Sequence, residues 1–152
     1  MNSYMDYILT QLKNLTAIDS PSGYTKEVTD YLISEYKSLG YAPKKTVKGG
    51  VLVDLGGADK ENALLMEAHV DTLGAMIAEI KENGRLRLTP LGGLNANNAE
   101  AENCRIHTRF HGTYEGTMQL TDASIHVNGK YNDTSRSFDV MEVLIDEKVS
   151  SK

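Results

Sequence analysis

At 152 residues, 40% of them hydrophobic, the chain is long enough for one domain of common size or two small ones, each with a packed core. A net charge of -5, a pI near 5.3 and scattered Lys and Arg argue against nucleic acid or an anionic membrane as the main partner. No stretch approaches the ~18 apolar residues of a membrane span, and the first residues lack the basic start and apolar block of an export signal, so a soluble cytoplasmic protein is expected.

Met5, Ile8, Leu9, Leu12 and Leu15 recur at helical spacing and stop before Asp19-Ser20-Pro21-Ser22-Gly23, a cluster of turn formers. A second helical pattern, Val28, Tyr31, Leu32, Tyr36 and Leu39, opens near Thr25 as N-cap and runs into Gly40 as C-cap. From Val51 the period changes. Val51 to Leu55 and Ala63 to Ala68 are short apolar runs parted by Gly56-Gly57-Ala58-Asp59, and they predict two buried strands beneath the helices, an α/β layer.

After Asp71 the pattern predicts mostly strands. Ala75 to Lys81 and Arg85 to Leu91 flank Glu82-Asn83-Gly84, where Asn-Gly can supply the positive φ angles of a tight hairpin. Asn95 to Asn103, with Glu100 and Glu102, reads as a solvated loop. Further strands are expected at Cys104 to Phe110, Thr113 to Leu120, Ser124 to Val127 and Asp139 to Ile145, with Gly112, Gly116 and Gly129 marking turns or bulges. Cys104 has no partner for a disulfide or a CxxC metal site and is expected to be a small buried residue. There is no internal repeat, and Ser150-Ser151-Lys152 reads as a frayed tail. The change of pattern implies two structural units that meet near residues 71 to 74.

Candidate chemistry begins at that junction, in His69-Val70-Asp71. On a strand, residues i and i+2 face the same side, so His69 and Asp71 project together from the end of an apolar run, the end where α/β sheets hold ligands. Neutral imidazole is a common zinc ligand, and a carboxylate on its other ring nitrogen fixes the tautomer and raises its basicity. The same spacing also describes a capping or salt-bridge pair, and a metal site needs three or four ligands. His107 alternates with Arg105 and Arg109, opposite Cys104, Ile106, Thr108 and Phe110, and so should face solvent. His111 falls in a turn beside Gly112, and His126 reads as a strand residue or a cleft-lining one. Gly92-Gly93 lacks the lysine of a phosphate loop and reads as a bulge or a close backbone crossing. Ser20-Pro21-Ser22-Gly23 lacks the GxSxG context of a serine nucleophile.

Four stretches in order, IDSPSGYTKEV, AHVDTLGAMIAEIKENGRLRLTPLGG, TDASIHV and VLIDEKVSSK, together resemble the tetrahedral, glutamyl and deblocking aminopeptidases. These are cocatalytic metallopeptidases, some of which carry cellulase or endoglucanase labels. The resemblance implies an α/β fold: residues 1–72 as the start of an α/β/α zinc-exopeptidase-type catalytic domain, and residues 73–152 as an inserted all-β, barrel-like dimerisation domain. It implies His69 as a ligand of one of two divalent ions, zinc or cobalt, and Asp71 as the residue that orients it. The other ligands and the glutamate base belong to later segments of a longer family chain. This chain is therefore expected to be a fragment or truncated product, inactive alone and not fully binding the metals. Thr72 stands where many relatives carry glutamate and resembles the deblocking branch. The implied function is a cytoplasmic metallo-aminopeptidase acting on short peptides. An incomplete barrel would leave strand edges open, so homo-oligomers are expected. The alternative is a non-catalytic β-rich assembly or binding module; glycan cleavage would need two opposed carboxylates, which no pair here marks.

Overall fold

The computed structural model describes residues 3–149, so the Ser150–Lys152 tail lies outside the described residues. The fold is mixed α/β, and the chain divides between Leu73 and Gly74 into two compact units.

In the first unit, α1 (Ser3–Ala17) is uninterrupted by Gly or Pro and carries Asp6 in its first turn, where a negative charge suits the helix dipole. The second helix, α2 (Lys26–Ser38), starts after Thr25, whose carbonyl accepts the Thr29 N–H at 3.0 Å. It stops at Gly40, with φ +89°, where the Tyr41 N–H bonds back to the Tyr36 carbonyl at 3.0 Å and closes the helix end. Polar side chains tie the two helices: Glu35 accepts from Tyr7 Oη (2.9 Å) and Gln11 Nε2 (2.8 Å). Tyr31 Oη donates to Gln11 Oε1 (2.7 Å).

The expected pair of buried strands is not formed. Only Val51–Leu52 is extended (β2), paired antiparallel with Lys44–Lys45 (β1). Residues 63–68 form no strand, and Leu64, Leu65 and Met66 are 86%, 72% and 81% exposed. An apolar run encodes a tendency to be covered, but a buried strand also needs ladder partners on its edges and layers on its faces. Among the described residues nothing pairs with this run. The apolar stripe of α1 is likewise uncovered, and Val28 is the one buried hydrophobic side chain of this unit among the described residues.

The second unit holds a five-stranded antiparallel sheet. Its strands are β3 (Gly74–Ile80), β4 (Leu86–Leu91), β5 (Asn103–His107), β6 (Thr113–Leu120) and β7 (Met141–Ile145), in the order β3-β4-β7-β6-β5. The β3–β4 hairpin forms as the sequence implies, with Gly74 opposite Leu91 and Ile80 opposite Leu86. The turn chemistry differs, because Gly84 alone there takes positive φ (+78°) and Asn83 does not. The Gly84 N–H meets the Lys81 carbonyl and the Lys81 N–H meets the Arg85 carbonyl, both at 2.9 Å. That is the three-residue connection ending in a left-handed glycine rather than a two-residue Asn-Gly turn.

Alternation on β4 and β6 puts Leu86, Leu88, Met118 and Leu120 on the inner face, where Met141 and Val143 of β7 join them. The stretch expected as a solvated loop contributes to this core. Asn95 caps a short helix, α3 (Ala96–Ala99), by accepting the Asn97 N–H at 2.9 Å, and Ala96 and Ala99 are buried. Glu100 is clamped by Arg136, with Nε to Oε2 at 2.7 Å and Nη2 to Oε1 at 3.2 Å. The strand expected at Ser124 to Val127 is instead a turn, because the Ser124 carbonyl takes the N–H groups of Val127 (3.1 Å) and Asn128 (2.8 Å). Ile125 and Val127 are exposed there. Phe110 lies beyond β5 and is 77% exposed rather than on the inner face. Cys104 is half-buried, and that burial pushes its thiol above the ordinary range. Gly116 lies within β6 rather than in a turn. A Cβ there would come within 2.7 Å of the Leu144 carbonyl of β7, so the absence of a side chain is what lets the strands close up.

Glu142 on β7 is 1% exposed and lies between two cations that flank the β3–β4 turn, Lys81 (2.8 Å) and Arg85. Removing both cations strands a buried charge, so Lys81→Met with Arg85→Met should lower unfolding stability by about 3–5 kcal/mol in urea, and adding Glu142→Leu should restore most of it. A double variant as stable as the parent would show that Glu142 has other means of solvation. The Arg136 clamp holds the Glu100 carboxyl below its ordinary value of 4.5, with Tyr131 assisting. A depressed folded-state pKa contributes stability above the unfolded value that is lost as pH falls through the folded one. Glu100→Gln should therefore flatten the fall in stability below about pH 4.5, read by denaturation at successive pH values.

Candidate functional site

His69 and Asp71 lie in the irregular segment that leads out of the exposed apolar run, and the turn before α2 holds this segment in place. Pro21 and Thr72 form an isolated parallel bridge. Ser20, fully buried, does most of the holding. Its N–H donates to Thr72 Oγ1 (3.1 Å), its carbonyl accepts the Thr72 N–H (3.0 Å), and its Oγ donates to the Val70 carbonyl (3.0 Å). Thr72, the departure noted in the sequence, is thus part of the clasp.

With Val70 and Thr72 bound to Ser20, Asp71 points elsewhere, and both of its oxygens are used. Oδ2 accepts from Ser22 Oγ at 3.0 Å, and Oδ1 meets His69 Nδ1 at 3.1 Å. The Ser22 hydroxyl and then the His69 ring hold the Asp71 carboxyl below the usual carboxylate range. An ionised carboxylate only accepts, so Nδ1 carries the shared proton, and in a neutral ring the lone pair is then on Nε2. The His69 side chain is 87% exposed, which leaves Nε2 open to another partner. A carboxylate on the second ring nitrogen is how ligating histidines are commonly oriented, and the same contact also describes an exposed His–Asp ion pair.

The other three histidines are in the second unit. His107 is exposed on β5 with Nδ1 3.1 Å from Thr113 Oγ1. His111 lies at the exposed tip between β5 and β6, and His126 is exposed in the turn that replaces the expected strand. Among the described residues no three His, Cys, Asp or Glu side chains come together to hold a metal. The described residues therefore supply one imidazole with an acidic partner here and no complete metal cage.

Sequence reasoning treated Ser20 to Gly23 as a turn without chemistry. Its serines are instead what position Asp71 and its neighbours. The signal available was a short hydroxyl-rich turn before a helix, since such side chains readily bond backbone and carboxylate groups. Nothing local marks partners about fifty positions away.

The family model described as M42 glutamyl aminopeptidase matches residues 49–152. The chain is 38% identical to YhfE of Bacillus subtilis (strain 168) over 138 residues, 91% of this chain and 40% of that protein. It is 35% identical to the glutamyl aminopeptidase of Lactococcus lactis subsp. cremoris (strain MG1363) over 104 residues, 67% of this chain and 29% of that protein. Its fold resembles aminopeptidase APDkam598 from the archaeon Desulfurococcus kamchatkensis, with a TM-score of 0.81 and 23% identity over 98% of this chain and 39% of that one. It also resembles the TET1 peptidase of Pyrococcus horikoshii, which can assemble into a tetrahedron or a large octahedral shell (TM-score 0.75, 23% identity, 91% of this chain and 40% of that one). The chain thus spans 40% or less of the curated relatives it matches.

If Ser20 is the anchor, Ser20→Ala should cost about 1 kcal/mol by freeing the Val70 carbonyl. The Thr72 amide, bonded to the Ser20 backbone, should then exchange with deuterium about 5-fold faster. Unchanged protection at Thr72 would place the anchor elsewhere.

Proposed function

The chain belongs to the M42 glutamyl aminopeptidase family, and from that premise we propose that it is the amino-terminal part of a metal-dependent aminopeptidase that removes residues from the amino terminus of short peptides. The observation that carries the reading is the Asp71 carboxylate fixing His69 with Nε2 open to solvent. When bound, two divalent ions, zinc or cobalt, would supply a water of lowered pKa and a polarised scissile carbonyl. His69 would hold one of them through Nε2. Asp71 would keep that nitrogen deprotonated, make it more basic and stop the ring from turning. One ligand does not make a catalytic centre, so the remaining ligands and the proton-transferring base would come from the part of the family's length that this chain does not span.

Other features support the same division of labour. The exposed apolar faces of α1 and of residues 64–66 are what an unfinished α/β catalytic domain would present, so residues 1–72 are assigned to that domain. Residues 73–152 are assigned to the inserted, barrel-like dimerisation domain, since β3 and β5 are edge strands open to further pairing. Homo-oligomerisation follows, in line with the shells that the Pyrococcus peptidase forms. No described helix is long and apolar enough to cross a membrane.

On this reading the 152-residue protein, supplied with zinc or cobalt, turns over aminoacyl-p-nitroanilides at little above background. It binds zinc weakly, His69→Ala removes that binding and Asp71→Asn weakens it about 10- to 100-fold, measured by calorimetry. Substantial turnover would contradict the partial-site reading, and zinc binding indifferent to His69→Ala would contradict the ligand assignment.

A further inference from the structure

We propose that Ser22 is a positioning residue for His69, acting through Asp71. The inference rests on the reading of His69 as a ligand and adds a residue to it. The terminal torsion of an aspartate is soft and roughly two-fold, so a single bond from His69 to Oδ1 leaves the plane of the carboxylate free to swing. The bond from Ser22 Oγ to Oδ2, 3.0 Å long, pins the second oxygen, and with both ends held the carboxylate faces Nδ1 in one orientation.

Ser22 can do this because its own place is fixed by its neighbours rather than by burial. Pro21, with its φ locked by the ring, is bridged to Thr72. The Tyr24 N–H returns to the Pro21 carbonyl at 2.7 Å, and Gly23, with φ +91°, makes the bend that this needs. Ser20, two positions back, is anchored to Val70 and Thr72 on either side of Asp71. The Ser22 hydroxyl therefore arrives from a frame that is itself bound to the segment carrying Asp71. The side chain is exposed, so it has no role in a core.

The test follows the His69 ring directly. In the 15N-labelled 152-residue protein, free of metal and in mildly alkaline buffer, long-range proton–nitrogen correlation should show Nδ1 protonated and Nε2 bare. Ser22→Ala should move both ring nitrogens toward the averaged shifts of a tautomer mixture, with little change in Tm because the site is on the surface. Ser22→Thr, which keeps the hydroxyl, should restore the parent spectrum. Zinc affinity should fall about 2- to 10-fold in Ser22→Ala and return in Ser22→Thr. Ring signals of Ser22→Ala that superimpose on the parent would overturn the proposal. The two readings fail separately. If the tautomer responds to Ser22 but zinc binding does not depend on His69, the metal assignment is lost and the positioning role stands. If zinc binding needs His69 but the ring ignores Ser22, the reverse holds.

Discussion

A carboxylate has two oxygens, and at Asp71 one is held by the Ser22 hydroxyl and the other by the His69 ring. The geometry of the candidate site follows from that double use. Because an ionised carboxylate cannot donate, the ring must, and a neutral ring that donates from Nδ1 has its lone pair on Nε2. The direction in which Asp71 points is in turn set by Ser20, a fully buried residue bonded to the positions on both sides of it. A backbone clasp, a hydroxyl, a carboxylate and an imidazole thus form a series in which each member fixes the next.

The two units solve the problem of burial differently. In the second, strand alternation gathers Leu86, Leu88, Met118, Leu120, Met141 and Val143 onto one face, with Ala96 and Ala99 packed against them. Even its buried charge is satisfied, since Glu142 is met by Lys81 and Arg85 from the hairpin. The first unit buries little apolar surface, and polar bonds such as those at Glu35 join its helices. Its apolar residues on α1 and at 64–66 are exposed among the described residues. The proposed role as one part of a larger catalytic domain accounts for this asymmetry, which would otherwise be an aggregation liability.

Much of the fold was legible in the sequence because it is encoded locally. Helical periodicity marked α1 and α2, Gly40 marked the end of α2, and the runs around Glu82-Asn83-Gly84 marked the hairpin. Misreadings arose where an element depends on distant partners. Residues 63–68 have the composition of a buried strand but lack strands to pair with, while Ile125 and Val127 lost to local turn bonds at Ser124. Asn95 to Asn103 looked solvated because its polar residues outnumber the two alanines that reach the core. At the site, the i, i+2 spacing of His69 and Asp71 was visible as a pattern, and they do meet. The contribution of Ser20 and Ser22 was not visible, because a hydrogen bond across about fifty positions leaves no trace in local spacing.

The central claim is that His69 presents Nε2 while Asp71 holds Nδ1. The most direct measurement is anomalous diffraction at the zinc edge, from crystals of this protein soaked at a concentration high enough to fill a weak site. The account predicts a peak about 2.0–2.1 Å from His69 Nε2, with Asp71 still bonded to Nδ1 and to Ser22. A peak on Nδ1 with Asp71 swung away, or zinc bound elsewhere while the His69 ring stays bare, would contradict it.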